Sequence, residues 1–154
     1  HLFGVAALTL MFGFWRACAA GVLVLAVSAA FGRGSFAALG ADALVTVALP
    51  AWVAWQVMRL IEKRLPRNFF LYALGSGFFG AALSVVVLGL ASTAVMAASG
   101  VYRLDYLLEH YTPYMTLLIS WAEAFSTGMA VTVMAVYRPH WLETYDEVAT
   151  LRER

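Results

Sequence analysis

The chain has 154 residues, of which 63% are hydrophobic and only 12% charged, with a net charge of +1; an ordinary soluble domain carries about 25% charged residues. That balance excludes a water-soluble globular domain and gives no electrostatic basis for a nucleic-acid partner. The single cysteine, Cys18, excludes a disulfide framework and a thiol metal cluster.

Five apolar segments follow in chain order: Leu2–Trp15, Ala17–Phe31, Ala41–Met58, Phe69–Ala98 and Tyr114–Tyr137. Backbone inside a bilayer must satisfy its own hydrogen bonds, so each segment is expected to be helical and the fold to be an all-α, polytopic transmembrane bundle in a lipid bilayer. The first two segments could form one helix, but Arg16 would then sit at mid-membrane at a cost of about 2.5–3.5 kcal/mol. Two helices meeting in a tight turn at Gly13–Arg16 avoid that cost. Pro50 should kink the third segment. The fourth, about 45 Å long as a helix, contains "GSGFFG" (Gly75 to Gly80). It lacks the preceding strand and following acid of a dinucleotide fingerprint. Its Ala73/Gly77/Ala81 and Ser76/Gly80/Ser84 ridges instead suit close helix packing.

Charge sets the expected orientation. "RLIEKRLPRN" carries Arg59, Lys63, Arg64 and Arg67 against Glu62, so this loop should be cytoplasmic. Counting crossings makes "SGVYRLDYLLEHYTP" external and residues 138–154 a cytoplasmic tail. The "GRGSFAALGAD" loop is then external, Arg16 internal and His1 external; Arg33 dissents slightly. That glycine-rich external loop could turn tightly or dip back into the membrane.

Three kinds of position could carry function. Glu123 lies within a run, Tyr114 to Tyr137, that has no other charge. Thr116, Ser120, Glu123 and Thr127 share one helix face, which must look into the bundle or a wet cavity. The stripe reads either as an ion path or substrate sensor, or as an acid that locks helices together. Asp42 reads as a helix N-terminal acid or as an external oxygen ligand. His1 reads as a solvated helix-end residue or as a metal ligand, with His110 a possible companion; His140 falls on the cytoplasmic side. No P-loop motif occurs and no nucleophile–base pair is evident, so no enzyme activity is expected.

"HLFGVAALTLMFGFW", "FGRGSFAALGADAL" and "WAEAFSTGMAVTVMAVYRP" together resemble, in order, the cobalt and nickel permeases of the CbiM/NikM type. The loop differs from the family pattern at Arg33 and Ser35, where an acid and a glycine are usual, and at Asp42, where asparagine is. The resemblance implies the substrate-binding component of an energy-coupling factor importer in the bacterial inner membrane. It implies capture of Co²⁺ or Ni²⁺ outside, and work with a transmembrane coupling protein and cytoplasmic ATPase subunits. It also implies that His1 is the motif histidine that ligates the metal, and that Glu123 is the family's late-helix acid with a structural or gating role. With His1 opening directly onto an apolar segment, residues 1–154 are expected to be one transmembrane domain that lacks an N-terminal metal-binding segment. The alternative is a membrane protein on the same scaffold that handles a non-metal solute or serves assembly.

Overall fold

The computed structural model describes residues 2–66 and 68–145, and all regular structure among them is helical. Four runs are long and apolar enough to cross a membrane: α1 (Val5–Ala30), α2 (Leu39–Arg64), α3 (Leu71–Ala98) and α4 (Leu104–Tyr137). The all-α transmembrane bundle expected from composition is therefore the fold.

α1 is two helical arms. Gly13 has φ 77° and ψ 170°, a conformation essentially confined to glycine. Before it, the chain runs alongside α2: Ala6 clusters with Ala54, and Leu10 with Met58. After it, the order inverts, with Gly13 against Trp55 and Gly21 against Val47. The chain reverses at Gly13, within the turn expected at Gly13–Arg16. One detail of that expectation is corrected. The 5–12 arm rises only about 12 Å, far less than the ~30 Å hydrocarbon core. It begins inside the bundle beside Glu123 rather than at the outer surface. His1 itself lies outside the described residues.

Pro50, expected to kink its segment, and Pro113, at the end of the expected external loop, both lie within helical runs. Pro50 has no N–H to give the Thr46 carbonyl, and Leu44–Ala48, just before it, winds as a π-helix. The expected kink is taken up by that wider turn. Pro113 sits between π segments Leu107–Tyr111 and Tyr114–Ile119. As a result, most of the expected external loop is helix: α4 starts at Leu104, and residues 99–103 alone join it to α3. A π-turn removes the need for the missing donor, so the proline does not end the helix.

The small-residue ridges of α3 pack within the bundle. Gly77 lies against Gly128 and Val131 of α4, while Gly75 and Gly80 lie against Ile61 and Val57 of α2. Arg16 pairs with Glu143, and Leu142 clusters with Leu10 and Met58. The Gly13 turn, the α2–α3 connection and residues 138–145 thus share one end, together with Arg59, Lys63, Arg64 and Arg138. The opposite end carries residues 31–38 and 99–103. Residues 31–38 turn at Gly32 (φ 74°) and stay exposed; they do not fold back among the helices.

Candidate functional site

The 5–12 arm poses a problem at both of its ends. A helix leaves its first N–H and last C=O groups without intrahelical partners, and a helix that starts inside a membrane bundle has no water to meet them. Glu123 answers the first need. Its Oε1 accepts the Gly4 N–H at 2.8 Å, at the positive end of the arm's dipole. The side chain is only 1% exposed, as an intramembrane acid should be. Gly4 makes the approach possible because its φ of 89° is costly for any residue with a Cβ.

The rest of the stripe is now readable. Ser120 and Thr127 are buried with Glu123, and Thr116 is half-buried. Thr127, one turn on, reaches the same carboxylate. Thr116 and Ser120 turn elsewhere: Thr116 Oγ1 donates to the Thr112 carbonyl at 2.7 Å, and Ser120 Oγ donates to that of Thr116. Their protons are committed to the backbone of their own helix, an arrangement that hydroxyls in helices commonly adopt. The structure therefore joins Glu123 to Thr127 and Gly4, and leaves Thr116 and Ser120 as satisfied packing residues on the same face.

The arm's other end is closed by the tail. Thr144 Oγ1 donates to the Leu10 carbonyl at 2.7 Å, and the Glu143 N–H donates to that of Met11 at 2.9 Å. Those carbonyls lose their helical partners where Gly13 breaks the chain. The Tyr72 hydroxyl bonds Thr144 at 2.6 Å, which ties the strap to α3. The hairpin is thus fixed at the turn by one side-chain hydroxyl and one backbone N–H from far along the chain, Thr144 lying 134 residues from Leu10.

The other candidate positions are scattered. Asp42 is in the first helical turn of α2 but makes no capping hydrogen bond; it lines a cavity at the end opposite the basic one. His110 is exposed and stacks on Tyr106 with ring centroids 4.6 Å apart. His140 is exposed at the basic end. Among the described residues, no three His, Cys, Asp or Glu side chains converge on a point that could hold a metal. His1 is not among those residues.

Sequence reasoning missed Gly4 and the strap formed by Tyr72, Glu143 and Thr144. Gly4 had one available signal, a glycine three residues from a histidine at the start of an apolar run. The strap had none, because its contacts are long-range and its residue types are unremarkable in a tail.

Residues 1–141 match the sequence model of the CbiM family, described as the cobalt uptake substrate-specific transmembrane region. No curated protein and no solved structure matches the chain.

Proposed function

The chain belongs to the CbiM family of cobalt-uptake transmembrane regions, and from that premise we propose that it captures a divalent transition metal, Co²⁺ or Ni²⁺, for import across the bacterial inner membrane. The basic end faces the cytoplasm, in keeping with the excess of Lys and Arg there. The reading is that of a substrate-binding component that binds metal from outside and relies on other subunits for energy. A transmembrane coupling protein and cytoplasmic ATPases fill that role, since the chain carries no P-loop.

One observation supports this reading above the rest: the first arm begins inside the bundle, at the Gly4–Glu123 hydrogen bond. His1 precedes Gly4 by three residues in the chain. The half-helix that follows it is anchored at both of its ends. We assign His1 the role of a neutral imidazole ligand. Nitrogen ligation suits Co²⁺ and Ni²⁺ better than Mg²⁺ or Ca²⁺, which prefer oxygen. Glu123 is a positioning residue that holds the start of the arm.

Calorimetry on the full natural chain tests the assignment. Wild type should bind Co²⁺ or Ni²⁺, with affinity falling below about pH 6.5 as the imidazole takes up a proton. His1→Ala should lose that binding. Matching affinities for the two proteins, or binding by neither, would refute the metal site and favour a non-metal solute.

A further inference from the structure

A second place in the molecule has the make-up of a binding site. At the end opposite the basic one, α2, α3 and α4 splay around a cavity of about 210 Å³. Asp42 comes from α2, Ser92 and Met96 from α3, and Tyr111 and Met115 from α4. Asp42 is the single charged group in the lining. Its carboxylate has no ion-pair or hydrogen-bond partner among the described residues, and neither do the Ser92 and Tyr111 hydroxyls. Three helices thus contribute three uncommitted oxygen-bearing side chains to the lining of one space, where a lone surface acid would have only water.

The floor of the cavity is apolar. Leu88 and Met115 line it, and they cluster with Val85 and with Ile119, which lies one turn before Glu123 on α4. Gly89 permits this seal: a Cβ there would stand 3.0 Å from that of Met115, so α3 and α4 touch closely at this level. The hydroxyls of Thr93 and Thr112, 2.7 Å apart, close the same helix pair beside it. The cavity is therefore a blind cup with an acid at its rim, separated from the Gly4–Glu123 junction by a dry layer.

We propose that this cup is an outer site that holds a hydrated divalent cation through Asp42, Ser92 and Tyr111, apart from the nitrogen site. The proposal rests on the transport reading above. The chemistry of the cup differs from that of the nitrogen site. A carboxylate and two hydroxyls hold an ion through its waters, and each liquid water needs about 30 Å³, so about 210 Å³ accommodates an ion with most of its first shell. Oxygen groups at outer-sphere distance do not distinguish Co²⁺ from Mg²⁺, because both keep their waters there. The outer site gathers divalent ions without distinguishing them, and discrimination belongs to the nitrogen site.

The test labels the cup itself. In a Cys18→Ser background, Ser92→Cys and, separately, Thr46→Cys on the α2 wall are exposed to a membrane-impermeant thiol reagent from the outside. Both should label, and millimolar Co²⁺ and Mg²⁺ should slow labelling alike. Adding Asp42→Asn should raise the half-protecting concentration about tenfold, since it removes the one charge facing the ion. Absence of outside labelling at both positions, absence of protection, or protection unchanged by Asp42→Asn would overturn the proposal. The measurement needs no transport. Protection that persists in a protein showing no His1-dependent metal binding would leave the cup standing and sink the transport reading alone.

Discussion

The two ends of the 5–12 arm solve one problem by different means. At its start, the Glu123 carboxylate, only 1% exposed, accepts the N–H of half-buried Gly4. At its finish, near the basic end, a threonine hydroxyl and a backbone N–H from the tail meet two freed carbonyls, flanked by an exposed Arg16–Glu143 pair. The difference follows from water. A group left unpaired in a dry interior costs about 1–3 kcal/mol, and more when charged. At a wetted surface water replaces a lost partner, and an exposed ion pair contributes about 0–1 kcal/mol. Both anchoring bonds are partly buried, and the ends differ in their surroundings: a fully buried acid at the start, an exposed ion pair that solvent can replace at the finish.

That contrast can be broken by experiment, beginning with the largest effect. Glu123→Leu removes the acceptor and leaves the Gly4 N–H without a partner. Thermal unfolding in detergent should show a loss of about 3 kcal/mol or failure to accumulate folded protein, whereas Glu123→Gln, which keeps an acceptor, should lose markedly less. Equal stability of the two variants would mean that the carboxyl does not anchor the arm. Gly13→Ala tests the reversal between the ends. Its φ of 77° and ψ of 170° should cost about 2–3 kcal/mol with a Cβ present, read by the same unfolding assay. Gly21→Ala, in the second arm, would put a Cβ 2.4 Å from Val47 Cγ1; overpacking of this kind costs about 1–3 kcal/mol.

Thr144→Val tests the strap. It removes the hydroxyl that bonds the Leu10 carbonyl and Tyr72, and about 1–2 kcal/mol should be lost. The smallest effect is expected for Arg16→Ala, whose side chain is 70% exposed: less than about 1 kcal/mol, fading further at high salt. If Arg16→Ala destabilised the protein as much as Glu123→Leu, the contrast between the dry and the wetted end would collapse.

Much of this was legible in the chain. Composition alone called for a membrane bundle, because 63% hydrophobic residues leave too little polar surface for water. The i, i+3/i+4 spacing put Ser120, Glu123 and Thr127 on one buried face, and small residues at Gly77 and Gly80 predicted close helix packing that the structure bears out. The break near Gly13 was legible as well, since keeping Arg16 out of mid-membrane required it.

Other features were decided only when the helices came together. Pro50 was expected to kink its segment and Pro113 closes the stretch expected as an external loop, yet neighbouring turns widened into π-helix and carried the chain through. The role of Glu123 could not be read from its own segment, because its partner Gly4 is 119 residues away. Nor could the strap that ties Thr144 to Leu10, or the cup that gathers Asp42, Ser92 and Tyr111 from three helices. Hydrophobic periodicity is a local property and fixes which residues are helical and which face is buried. The partner of a polar group depends on which helix end arrives beside it, and packing alone determines that.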